Sequence, residues 1–161
     1  MSIPKLKKQF LEVSDALDLG NPSITEKDYW VVSLLAMLES VESEHHQLVF
    51  SGGTALAKSN IKILRMSEDV DIKLIPTQEF LDKGTGAKRK ARKALVEHLI
   101  ARLADHTYLN YSDKMVRDSY RYVEIEIEYP QQYHQAPCLR PYIKLEFIET
   151  IELQGVEPRS I

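Results

Sequence analysis

At 161 residues the chain has the length of one domain, large enough to bury a hydrophobic core without covalent staples. Its 43% hydrophobic and 28% charged residues are ordinary for a soluble globular protein, and a net charge of −3 excludes a globally basic nucleic-acid binder; any such contact needs a local patch. The single cysteine, Cys138, rules out an internal disulfide, the first residues lack the apolar core of a signal peptide, and the longest apolar stretch, residues 29–38, is too short for a bilayer, so a cytoplasmic protein without membrane contact is expected.

Leu6, Phe10, Val13 and Leu17 recur at three- and four-residue spacing and predict an amphipathic helix over residues 4–17, broken by Gly20-Asn21-Pro22. A second helix is expected from Ser23 or Thr25, because Ser23-Ile24-Thr25-Glu26 has the capping-box form and Glu26 and Asp28 suit a first turn. Tyr29 and Trp30 are expected to pack this helix into the core, and His45-His46 to form a surface turn. Leu48-Val49-Phe50 reads as a buried strand running into the Gly52-Gly53 turn, with a helix over residues 54–61 behind it. Residues 69–74 alternate with period two, giving a strand with Asp69 and Asp71 on one face and Val70, Ile72 and Leu74 on the other, stopped by Pro76. Residues 77–104 are helical, with a break at Gly84-Thr85-Gly86 and a stripe of Ala91, Leu95, Leu99 and Leu103. Two more strands alternate apolar residues with Glu124, Glu126 and Glu128, and with Lys144 and Glu146, and a proline-containing loop over residues 130–141 joins them. This order predicts an α/β (α+β) domain, a mixed sheet of about four to five strands flanked by helices. The last residues lack a closing element, so a domain truncated before a further segment is expected.

The stretch from Val49 to Leu74 is the informative one for chemistry. Glycines at a strand-to-helix turn let backbone N–H groups approach a phosphate, and the Ser51 and Thr54 hydroxyls and the Lys58 ammonium add donors. Two carboxylates one residue apart on a strand project to the same side and can ligate one hard cation such as Mg²⁺ or bridge two. An isolated Asp-x-Asp is a weak signal and is most often a solvated strand edge. In this order, with a strand on either side, the combination is more specific.

Glu26-Lys27-Asp28-Tyr29-Trp30-Val31, Gly52-Gly53-Thr54, Leu56-Ala57-Lys58 and Arg65-Met66-Ser67-Glu68-Asp69-Val70-Asp71 together resemble the nucleotidyltransferase toxins of the abortive-infection Eii type (AbiEii), within the polymerase-beta-like nucleotidyltransferase superfamily. The resemblance implies a nucleotidyltransferase-like fold and Mg²⁺-dependent transfer of a nucleotidyl group from an NTP to an RNA such as tRNA, or to a protein. It also implies a role as the toxin of a toxin–antitoxin or phage abortive-infection module with a cognate antitoxin. Carried over by residue, Asp69 and Asp71 are catalytic metal ligands, and Ser51, Gly52, Gly53 and Thr54 form the phosphate turn. Lys58 and Arg65 meet phosphates, and Glu146, on the polar face of a late strand, is the candidate third catalytic carboxylate and metal ligand. Family members usually continue into a helical C-terminal half bearing a further Lys and a Lys-x-x-x-Asp motif that completes the site, and the sequence stops at Ile161, before that half would appear. That departure keeps a second reading open, a non-catalytic nucleotide- or partner-binding module on the same fold. Lys88-Arg89-Lys90-Arg92-Lys93 is either an RNA-backbone contact or the solvated face of a helix. Cys138 and His134 lack metal-ligand spacing.

Overall fold

Among the described residues, helices with apolar stripes cover one face of a five-stranded sheet, and the opposite face carries mostly charged side chains. The computed structural model describes residues 3–52 and 69–150. Helix α1 (Ile3–Ala16) buries Leu6, Phe10 and Ser14, a four-residue ridge, so the stripe turns from Phe10 to Ser14 and leaves Val13 43% exposed. Helix α2 (Pro22–Glu39) packs on it and buries Trp30, Val31, Leu34 and Leu38, while Tyr29 stays half-exposed with its ring 5.4 Å from Phe10.

The expected capping box at Ser23 is corrected by the structure. Asn21 caps α2, accepting the Ser23 N–H at 2.9 Å, and Pro22 occupies the first turn, where its missing N–H costs nothing. Ser23 and Glu26 are thereby released for long-range contacts, and both are fully buried.

Strand β1 (His46–Ser51) pairs antiparallel with β2 (Asp69–Pro76), which pairs parallel with β5 (Ile143–Glu149). Next come β4 (Tyr122–Glu128) and β3 (Asn110–Arg117), both antiparallel, so the order is β1-β2-β5-β4-β3. The mixed sheet is as expected, with five strands. Strand β3 carries no sequence signal because, as an exposed edge strand, it has no buried face to alternate against. A turn with positive φ at Asp118, Ser119 and Tyr120 joins it to β4. The long helical stretch divides, as the glycines predict, into a short α3 (Gln78–Leu81) capped by Thr77 and a long α4 (Thr85–Ala104) whose N-cap is Gly84. The predicted helix over residues 54–61 lies outside the described residues.

Val70, Ile72 and Leu74 of β2, Ile143, Leu145 and Phe147 of β5, and Val123, Ile125 and Ile127 of β4 form one core with α1, α2 and α4. Among the described residues no helix is long and apolar enough to cross a membrane.

His46 is not on a surface turn. It is 4% exposed, starts β1, and places Nε2 3.0 Å from Glu149 Oε2. Arg92, from the basic run of α4, is also buried and donates to both Glu149 oxygens at 2.6 and 2.7 Å, with its guanidinium over the Phe80 ring. Burial raises the Glu149 pKa, but Arg92 and His46 outweigh it and hold the carboxyl below its ordinary range. The remaining basic residues of α4 lie on the helical side of the sheet. Because removing one partner of a buried, doubly hydrogen-bonded pair strands the other charge, Arg92→Ala should destabilise the fold by about 3–5 kcal/mol, read as a lower urea midpoint at neutral pH. A loss under ~1 kcal/mol would show that Glu149 finds water instead.

Candidate metal and nucleotide site

The polar face of the sheet is assembled by register. Asp71 pairs with Ser51 on one side and Glu146 on the other, Asp69 pairs with Lys144, and Glu146 pairs with Glu124. Since side chains alternate along a strand, Asp69, Asp71, Lys144, Glu146, Glu124 and Glu126 all project to the face away from the helices. The structure therefore brings together Ser51, Gly52, Asp69, Asp71 and Glu146 from the sequence-expected set. Gly53, Thr54, Lys58 and Arg65 lie outside the described residues.

Gly52 shows why a glycine follows β1. Its φ is +76°, and a Cβ built there would overlap the carboxylate of Asp71. Only a residue without a side chain both adopts this conformation cheaply and lets the acid lie against the turn. The Ser51 hydroxyl donates to the Asp71 carbonyl at 3.2 Å, so it braces the β1–β2 end.

Four other residues shape the site. Lys144 Nζ lies 2.9 Å from Glu146 Oε1 and 3.5 Å from Asp69 Oδ2. Arg140, from the loop before β5, donates to Asp69 Oδ1. The Tyr122 hydroxyl is 2.7 Å from Glu146 Oε1 and 2.9 Å from Glu124 Oε2, so two carboxylates share its one proton. Lys144 had a sequence signal, its i, i+2 spacing from Glu146; Tyr122 and Glu124 likewise share a strand face. Arg140 had none, because loop residues follow no period.

Residues 33–161 match the family model described as Nucleotidyl transferase AbiEii toxin, Type IV TA system. The chain belongs to the AbiEii family. The resemblance read from the sequence holds, although Glu26-Lys27-Asp28 precedes the matched residues. Among solved structures, MenT4, a nucleotidyltransferase toxin from Mycobacterium tuberculosis H37Rv, is similar with a TM-score of 0.49 at 20% identity. That likeness covers 80% of this chain but 38% of the other, so the AbiEii chain spans well under half the length of that toxin. No curated protein matches the chain.

The electrostatics follow from crowding. Burial, then the hydrogen bond and charge of neighbouring Glu146, then the charge of Asp69, push the Asp71 carboxyl up to about 6. Burial raises Glu146 as well, but Lys144, Tyr122 and Asp71 outweigh it and hold Glu146 below its ordinary range. Below about pH 6, then, Asp71 is the partner that holds the proton and Glu146 the one that accepts it. Three hard-oxygen carboxylates on adjacent strands, too crowded to be comfortable as anions, suit a divalent cation such as Mg²⁺. Among the described residues, the trio whose donor atoms all lie within 4.8 Å of one another is Glu44, His45 and Glu79, two of them exposed and apart from the Gly52 turn, whereas Asp69, Asp71 and Glu146 are not drawn together that closely.

Two outcomes test this arrangement. Gly52→Ala should cost about 1–3 kcal/mol from the left-handed backbone, and should further displace Asp71. A variant with unchanged urea midpoint and unchanged divalent-ion binding would contradict the close approach. The second test uses pH. The folded Asp71 pKa lies above its ordinary 3.8, so the folded state holds this proton more tightly, and metal-free stability should fall as pH rises from about 4 to about 6. Asp71→Asn lacks this proton, so without divalent ions its Tm advantage over wild type should grow across that window and level off above it. A constant difference from pH 4 to 8 would refute the raised pKa.

Proposed function

We propose that this AbiEii protein transfers a nucleotidyl group from an NTP, with Mg²⁺ as cofactor, to an RNA acceptor such as tRNA or to a protein. It acts as the cytoplasmic toxin of a toxin–antitoxin or abortive-infection pair whose cognate antitoxin opposes it. The observation that carries this reading is the placement of Asp71, in contact with the Gly52 turn on one side and hydrogen-bonded to Glu146 on the other. A glycine turn beside a carboxylate cluster is what triphosphate chemistry requires, and neither solvated strand residues nor a structural ion pair calls for the glycine.

Asp69, Asp71 and Glu146 would hold the divalent ion, which when bound neutralises triphosphate charge and stabilises the leaving pyrophosphate. The chain's own residues do the rest. Gly52 lets the Asp71 carboxylate lie against the turn, and in this reading Gly53 and Thr54 offer backbone N–H groups to a phosphate while Lys58 and Arg65 supply positive charge. Tyr122 orients Glu146 by hydrogen bonding, and Ser51 fixes the Asp71 backbone, so the carboxylates are aimed before substrate arrives.

The decisive experiment incubates the protein with labelled NTPs, Mg²⁺ and total cellular RNA. Asp71→Asn keeps the shape of the side chain but replaces a charged ligand with a poorer neutral one. Label transfer and toxicity should fall by at least ~10²-fold, the scale of losing one strong electrostatic contribution. An Asp71→Asn protein that transfers label at wild-type rate would refute metal-dependent catalysis. NTP binding with no transfer by the wild type would favour the binding-module reading.

A further inference from the structure

The loop between β4 and β5 is held by more buried charge than a connection needs. Glu26 of α2, fully buried, accepts the backbone N–H of Gln132 at 2.7 Å and of Tyr133 at 3.3 Å. Ser23 accepts the Ala136 N–H at 3.0 Å. Lys27, also fully buried, donates from Nζ to the backbone carbonyl of Arg140 at 2.9 Å. Burying an ammonium and a carboxylate is costly unless each is satisfied, and here both are used on a single loop. The loop ends at Arg140, whose carbonyl is fixed by Lys27 while its guanidinium reaches across to Asp69 Oδ1. The side chain remains 41% exposed, so Arg140 is anchored at its backbone while its guanidinium stands within reach of solvent.

We propose that Arg140, ion-paired with Asp69, is a triphosphate-binding residue that exchanges this carboxylate for phosphate oxygens. The inference rests on the nucleotidyltransferase reading above. Asp69 is held by two cations, Arg140 and Lys144, and a divalent ion must compete with both for the same oxygens. Asp69 would be among the residues holding a divalent ion, and in that state the Arg140 guanidinium would give up part of its pairing with Asp69 while a triphosphate offered new negative charge to the same place. A guanidinium presents a planar fork of donors that matches two phosphate oxygens, which a point-charge ammonium does not. Transfer from carboxylate to phosphate thus leaves Arg140 paired in both states, and the rigid loop keeps its tip within reach of both partners.

This exchange predicts opposite signs for two ligands. In Arg140→Ala, Mn²⁺ affinity without nucleotide, measured by titration with electron paramagnetic resonance, should rise several-fold because a competitor is gone. Affinity for a non-hydrolysable NTP analogue at saturating Mn²⁺, measured by calorimetry, should fall about tenfold or more, the scale of a charge-assisted hydrogen bond. In transfer assays KM should rise more than kcat falls, and Arg140→Lys should restore the NTP affinity only in part. Both affinities falling together with Tm would make Arg140 a structural support and overturn the proposal. So would both staying within twofold of wild type. Wild-type protein that takes up no Mn²⁺, with Asp71→Asn indistinguishable from it, would overturn the metal-site reading itself and the exchange with it. Mn²⁺ bound normally but indifferent to Arg140 would overturn the exchange alone.

Discussion

The parallel pairing of β2 with β5 is the constraint on which the rest depends. It sets Asp71 beside Glu146 and Asp69 beside Lys144, and a slip of one residue would turn Glu146 into the core and Leu145 out to water. Parallel neighbours cannot be joined by a tight turn, and here α3, α4, β3 and β4 all intervene, so nothing local fixes the register. It must be specified by side chains.

Both faces contribute to that specification. On the apolar face the pattern Ile143, Leu145, Phe147 demands burial, and Glu149, which continues the same alternation beside Leu74, would break it were it not for Arg92 and His46. A carboxylate that tolerates burial only against one arginine and one histidine is a position-specific lock. It adds little net stability relative to an apolar side chain, but it makes every alternative register leave a charge unpaired. The lock also ties α4 to the strand that carries Glu146. The helix layer and the carboxylate face are thereby indexed to each other, although they lie on opposite sides of the sheet.

Much of this was legible in the sequence, and the boundary follows the physics. Strands with one buried face announce themselves by alternation, so β2, β4 and β5 were readable, as were the Asp69 and Asp71 face and the polar side of β5. The glycine at position 52 was readable because few residues other than glycine serve a tight strand exit, though its contact with Asp71 was not. Edge strand β3, the identity of the α2 cap and the burial of His46 were hidden, since each depends on a partner distant in sequence. Charge is the least readable property of all. Arg92 sits in a basic run that looks like a solvated helix face, and Glu26 and Lys27 sit where a helix start explains them sufficiently. All three are buried by contacts more than fifty residues away.

The crowding of acids on the polar face is balanced by the chain's own neighbouring groups. Asp69, Asp71 and Glu146 repel one another, and the chain answers in three ways. Arg140 and Lys144 neutralise Asp69 and Glu146, Tyr122 gives Glu146 a hydrogen bond, and Asp71 keeps a proton to about pH 6. Each answer is reversible, because Arg140 is half-exposed, Lys144 still reaches solvent at 18% exposure, and the Asp71 proton leaves at about pH 6. A permanent solution, such as an apolar residue at position 71, would stabilise the fold more but would leave no oxygen for an incoming ion. The irreversible contacts, Lys27 to the Arg140 carbonyl and Glu26 to the neighbouring N–H groups, are kept one layer back from the carboxylates. Rigidity in the support and exchangeability at the surface are what a ligand-binding site needs, and here the two are separated along a single residue, between the backbone of Arg140 and its guanidinium.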